Sequence, residues 1–205
     1  MPVVGRFSRV GRSIAVLVLA LSLSACAGLG FGSKAAPPAY DLTAPHPTRI
    51  ARAARGQLVI PEPTAISVLA SERIVVRPAP DQVETLADAQ WIDQLPKLLQ
   101  ARLINTFENA RRLRAVGRPG DRITADYELL TDVRAFQLSV GSGPVAEVEI
   151  AAKIVVATNG RIIAGRVFRA TVPSDSTEAP GAVRAIDAAF GEVAVHLVRW
   201  VTSVI

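Results

Sequence analysis

From Val145 to Thr158 apolar and polar side chains alternate. Val148, Ile150, Ala152, Ile154 and Val156 fall on one side of an extended chain, and Glu147, Glu149 and Lys153 on the other. A period of two predicts a strand in a sheet with one dry and one wet face. Asn159-Gly160 follows, the pair that best supplies the positive φ values of a type I′ turn, so the chain is expected to return along Arg161–Val172. Upstream, Tyr127–Val140 is rich in strand formers although its alternation is imperfect, and Gly141–Pro144 turns the chain into the next strand. Shorter extended pieces precede these. Gln57–Ile60 is stopped by Pro61 and Pro63, Arg73–Pro78 ends in proline, and Arg112–Val116 is closed by Gly117, Pro119 and Gly120.

Two segments change period. Ile92, Leu95, Leu99, Leu103 and Phe107 recur at helical spacing on one face, which predicts a helix with Asp93 as N-cap, Pro96 in the first turn and an end near Ala110. After a loop over Pro173–Gly181, Val183, Ile186, Phe190, Val193, Leu197, Trp200 and Val204 step by three and four up to Ile205, with Glu192, His196, Arg199 and Ser203 as a polar stripe. The predicted fold class is therefore α+β, a single domain over residues 57–205. It comprises an antiparallel β-meander sheet with two amphipathic helices packed on one face.

The N-terminus has a different character. Residues 1–25 carry Arg6, Arg9 and Arg12 without an acid, then an apolar run from Ile14 to Leu23, then small residues, the pattern of a secretory signal peptide. The run falls short of the ~20 apolar residues a membrane-spanning helix needs. Leu23, Ser24, Ala25 and Cys26 match the bacterial lipobox, and Cys26 is the one cysteine of the chain. That match implies cleavage before Cys26, a diacylglycerol on its thiol and an N-acyl chain such as palmitate, with no other cofactor. Ala27 stands where an aspartate would favour inner-membrane retention, so the outer membrane, facing the periplasm, is the expected location. Residues 26–56, with four prolines and no sustained periodicity, read as a tether, within which Tyr40-Asp41-Leu42 could form a short docked strand.

Composition adds limits. The chain of 205 residues has a net charge of +5, but three arginines leave with the signal and no acid does. The remaining 20 basic and 18 acidic residues give +2, which argues against a nucleic-acid partner. His46 and His196 are the only histidines and lie 150 residues apart, so a zinc site lacks ligands, and no G-x-S-x-G nucleophile elbow is present. Glu147 and Glu149 read as a solvated strand face rather than a catalytic pair. Arg166 and Arg169 project to opposite faces of their strand. Trp91, Trp200, Phe168 and Phe190 are the candidate partner or lipid contacts, with core packing as the plainer role for each. Together with Ile154 and Val156, the phenylalanines would line any lipid cavity between sheet and helices.

Taken together, several stretches resemble one family. They are the lipobox, Tyr40-Asp41-Leu42, "RIVVRP", "QWIDQLPKLLQARL", "ADYELLTDVRAFQ", "AEVEIAAKIVVATNGRIIAGRVF" and the terminal helix with Trp200. The chain resembles the ABC-type transport auxiliary lipoproteins, which include the lipoprotein of the paraquat-inducible Pqi system. The resemblance implies a non-enzymatic accessory of envelope phospholipid transport on the outer-membrane side. Its implied partners are a periplasmic MCE-domain protein, an ABC permease and ATPase complex, the membrane through the lipid anchor, and phospholipid. The alternative is an assembly or structural lipoprotein of another envelope machine, in lipopolysaccharide export or cell-wall synthase activation.

Overall fold

The structure is a computed structural model that describes residues 36–48 and 56–205. The signal peptide, the lipobox with Cys26, and the tether residues 27–35 and 49–55 lie outside the described residues. In chain order the elements are β1 (Ala39–Tyr40), β2 (Gln57–Val59), β3 (Thr64–Ala65), β4 (Arg73–Arg77), β5 (Glu84–Trp91), α1 (Leu95–Ala110), β6 (Ala115–Gly117), β7 (Tyr127–Ser139), β8 (Val145–Val156), β9 (Ile162–Pro173) and α2 (Ala179–Val204).

The long strand β7 organises the sheet. Along one edge it pairs antiparallel with β8, from Tyr127↔Val156 to Ser139↔Val145, and β8 pairs antiparallel with β9. As the alternation predicts, Val148, Ile150, Ala152 and Ile154 are buried on one face of β8; Ala146 extends that face, and Val156 at the strand end is only half-buried. Sequence and structure part at the turn. Val156 N–H donates to the Arg161 carbonyl at 2.9 Å across a four-residue connection, and φ is positive at Gly160 but not at Asn159. The Asn159 side chain instead accepts from the Arg161 N–H at 3.0 Å, a local bond that asparagine makes readily in turns.

The imperfect alternation of β7 has a physical cause. The register with β8 shifts between Val133 and Ala135, a β-bulge. Leu129 and Val133 are buried before it, Phe136 and Leu138 after it. One extra residue moves the dry face from odd to even positions.

The other edge of β7 is shared by three short strands in succession. β2 pairs at Tyr127–Glu128, β3 at Asp132–Val133 and β4 at Gln137–Ser139, all parallel. Residues 57–77 thus run alongside β7 as one interrupted strand. Pro61 and Pro63 lie in the first break, where a missing N–H removes a ladder bond. β6 adds to β2 and β1 to β5 in parallel, and β5 pairs antiparallel with β4. The whole is a mixed α/β arrangement, mostly antiparallel by paired length, and the parallel pairs replace the meander expected from sequence. Both β3 and β5 escape sequence reading. Of the residues of β5, Glu-Thr-Leu-Ala-Asp-Ala-Gln-Trp, only Thr85 and Trp91 are good strand formers, and pairing with β4, and with β1 at Gln90 and Trp91, holds the segment extended.

α1 begins after Gln94, whose backbone is extended (φ −54°, ψ 130°), rather than after Asp93. Asp93 Oδ1 accepts from the Gln94 N–H at 2.7 Å, one residue ahead of a capping position. Pro96 sits in the first turn, where no intrahelical donor is lost. Leu95, Leu99, Leu103 and Phe107 are buried as expected and Leu98 joins them, but Ile92 lies before the helix and is 49% exposed. α2 packs on β8 and β9 and against α1. Its alanines Ala182, Ala185, Ala189 and Ala194 are buried, small side chains that let the helix lie close to its neighbours. Trp91, edge-on to Phe136 at 5.8 Å, and Phe136, 6.2 Å from Phe190, link β5, β7 and α2 through one aromatic line.

Replacing Trp91 by Ala is expected to cost about 3–5 kcal/mol in urea unfolding, whereas Ile92→Ala stays within about 0.5 kcal/mol. Thr131 is buried and its hydroxyl has no partner among the described residues. Thr131→Val should therefore raise stability by about 1 kcal/mol, read from the same unfolding midpoint.

Candidate anchoring strap and binding surfaces

The segment 37–48 has four prolines and almost no ladder of its own, yet its polar groups find partners. Ala39 and Tyr40 pair with Gln90 and Trp91. The N–H groups of Gln90 and Ile92 donate to the carbonyls of Pro38 (3.1 Å) and Tyr40 (2.9 Å). Leu42 is buried in the core. The guanidinium of Arg102, on α1, forks onto the Asp41 carboxylate, with Nε donating to Oδ1 at 3.0 Å. Asp187, on α2, accepts from the Thr43 N–H at 2.7 Å and its hydroxyl at 2.8 Å. Asn109 Nδ2 donates to the carbonyls of Ala44 and Pro45, and Arg199 Nη2 to that of Thr48. Both helices thus grip the segment as a strap. The sequence suggests a short docked strand at Tyr40-Asp41-Leu42; the grip extends from Pro38 to Thr48. The partners Arg102, Asn109 and Asp187 lie more than sixty residues away, so no local pattern marks them.

Of the aromatic candidates, Trp91 and Phe190 are sealed in the core and Phe168 is nearly so. Trp200 is half-buried, edge-on to Phe168 at 5.4 Å. A cavity wide enough for an acyl chain leaves its lining accessible to a water-sized sphere. Ile154 and Phe190 are 0% exposed and Phe168 4%, so these side chains fill the space between sheet and helix rather than line a void.

Surface features are shallow. On the outer face of the sheet a groove of about 800 Å³ has Leu130, Ala151, Gly165 and Val167 along its floor and Glu62, Arg134 and Lys153 among its walls. Gly165 lacks the side chain that would fill it. Beside it, Glu149 is paired with Arg169 and lies 3.8 Å from Arg134, and Glu147 accepts from Gln137 Nε2 at 3.2 Å. These carboxylates are engaged in cross-strand bonds. A smaller pocket of about 350 Å³ lies on the other side of β9, lined by Arg166, His196, Arg199, Trp200 and Ser203. Arg166 and Arg169 do point to opposite faces: Arg169 joins Glu149, and Arg166 lies over the Phe168 ring, with Cζ 5.2 Å from its centroid. Among the described residues no His, Cys, Asp and Glu group could hold a metal ion, and no helix is long and apolar enough to cross a membrane.

Residues 40–198 match the family model described as the ABC-type transport auxiliary lipoprotein component. The chain belongs to this family. The family is that of auxiliary lipoproteins of ABC-type transport, a description that implies anchoring in the cell envelope. An uncharacterised protein of Bradyrhizobium diazoefficiens is 38% identical over 172 residues, 83% of this chain and 46% of that protein. The chain thus spans about half the length of the curated relative it matches. A crystal structure of a protein from Xanthomonas campestris is 28% identical, with a TM-score of 0.70 over 82% of this chain and 94% of that one. A hypothetical protein of Chlamydia trachomatis shares the fold at 9% identity, with a TM-score of 0.52 over 74% of this auxiliary lipoprotein and 98% of its own chain. The family match begins at Tyr40, inside the strap, so the matched unit includes most of it.

If the strap is part of the fold, Asp187→Ala should lower unfolding stability by about 1–2 kcal/mol through loss of two charge-assisted bonds to Thr43. Asp175→Ala, which breaks the exposed pair with Arg184, should cost no more than about 0.5 kcal/mol.

Proposed function

We propose that this auxiliary lipoprotein is the non-enzymatic, outer-membrane-side accessory of an ABC/MCE-type phospholipid transport system. It is acylated at Cys26 and docks the periplasmic MCE component. Two or three acyl chains anchor durably where a single one does not. The observation that carries the reading is the strap. With residues 37–48 gripped by α1 and α2, only the ten residues from 27 to 36 separate Cys26 from the folded domain. Fully extended, they reach at most about 35 Å, and as a coil about 17 Å. The thirty-residue tether of the sequence reading would have allowed about 30 Å as a coil. A short leash keeps the domain near the bilayer and raises its effective concentration for a partner there. The filled interior supports an adaptor that presents surfaces rather than a carrier that encloses an acyl chain.

The test is affinity capture from detergent-solubilised envelopes of cells expressing the full chain, with Cys26→Ala as control. The reading expects an MCE-domain protein with its permease and ATPase in the captured complex, palmitate label on the wild-type chain, and loss of both label and membrane attachment in the control. Recovery of lipopolysaccharide-export or cell-wall synthase components instead would favour the other envelope machines.

A further inference from the structure

Where arginines of this domain form ion pairs, carboxylates hold them: Arg102 with Asp41, Arg134 with Asp132 and Glu149, Arg169 with Glu149, Arg184 with Asp175. Arg166 and Arg199 are placed by neutral groups and share one pocket. Arg166 rests on the Phe168 ring, and Phe168 in turn meets Trp200 edge-on. Arg199 Nη2 donates to the Thr48 carbonyl at 3.3 Å. A π face and a carbonyl orient a guanidinium without cancelling its charge. His196 is exposed in the same pocket and offers a ring N–H. The Ser203 hydroxyl donates to the Trp200 carbonyl at 2.7 Å, so it forms wall rather than donor. Glu192, one turn before His196, is the acid on that stripe of α2. Arg199 lies ahead of the last turn of α2 and Arg166 lies on a strand, so the helix dipole accounts for neither.

Two guanidinium forks with no carboxylate partner among the described residues, an imidazole and a half-buried indole together have the chemistry of phosphate recognition. We propose that the Arg166–His196–Arg199–Trp200 pocket binds a phosphate group, carried by a phospholipid or free in solution. The phospholipid source rests on the function proposed above; the phosphate chemistry rests on the pocket alone. In the lipid case Trp200, apolar in body and polar at its N–H, suits the boundary between headgroup and acyl chains. This site reads a headgroup at the surface and needs no interior cavity.

The full acylated chain in nonionic detergent micelles provides the test. Micelles are doped with phosphatidylglycerol bearing brominated acyl chains, or with brominated diacylglycerol, which lacks phosphate. Quenching of Trp200 emission is expected to saturate with phosphatidylglycerol and not with diacylglycerol. Arg166→Gln and Arg199→Gln should each weaken it about tenfold or more, and the double variant should abolish saturation. Trp91, sealed in the core, should stay unquenched throughout and reports that each variant is folded. Displacement by millimolar inorganic phosphate would assign the site to free phosphate; persistence against it would assign the site to the lipid headgroup. Saturation in the double variant, or equal saturation with diacylglycerol, would overturn the proposal. Both arms are separable from the function above: failure to capture transport partners while arginine-dependent quenching persists would remove that reading and leave the site.

Discussion

At Trp91 the strap, the sheet and the long helix meet. Its indole is fully buried at the end of β5, edge-on to Phe136, which in turn meets Phe190 of α2. Its backbone stands in register with Tyr40 of the strap, and its N–H donates to the Glu72 carbonyl at 2.7 Å. Removing an aromatic side chain of this size from water is among the largest single contributions a small domain obtains. It also fixes where β5 ends and α1 begins, and so which surface the strap can pair with. The order of dependence runs from that burial to β5, from β5 to β1, and from β1 to the fixed course of residues 37–48.

That order has a functional consequence. A chain that leaves a domain as a loose coil transmits little about orientation. One held by a paired strand and a salt bridge follows a fixed course along the domain, as residues 37–48 do. Arg102, Asn109, Asp187 and Arg199 reach the strap from the outer sides of the helices. Arg102, Asn109 and Asp187 bond to backbone or short side chains of the strap, and Arg199 gives it one N–H. The interior is meanwhile filled by alanine, valine and phenylalanine side chains, so binding capacity is left to the surface: the groove across β7–β9 and the small pocket beside Trp200.

Much of this was legible in the sequence, and the reasons differ by element. The alternation of β8 and the helical stepping of α1 and α2 are local and strong, and each survives in the structure. β3, two residues between proline-broken stretches, has no pattern of its own. β5 lacks an alternating pattern and leads directly into Ile92, Leu95 and Leu99 at helical spacing, so only its tertiary pairing reveals it. The bulge in β7 shows in sequence only as a lapse of alternation. Parallel pairing of β2, β3 and β4 with β7 depends on chain direction across more than sixty residues, which spacing does not encode. For the candidate contacts, aromatic identity pointed to Trp91, Phe168, Phe190 and Trp200, and only the fold sorts the sealed side chains from the half-open one. Arg166 and Arg199 come together because α2 lies in one register on β9. Cys26 and the lipobox lie outside the described residues, and their role rests on the sequence pattern and the family.

The fixed course of residues 37–48 requires the strap to be part of the domain rather than part of a tether. Amide hydrogen exchange on the intact lipoprotein, read residue by residue, addresses this directly. Protection of Thr43, Gln90 and Ile92, whose N–H groups bond to Asp187, Pro38 and Tyr40, at rates comparable to those of β4 and β5 is the expected result. Exchange across residues 39–48 at the rate of an unstructured chain, with β4 and β5 still protected, would contradict it.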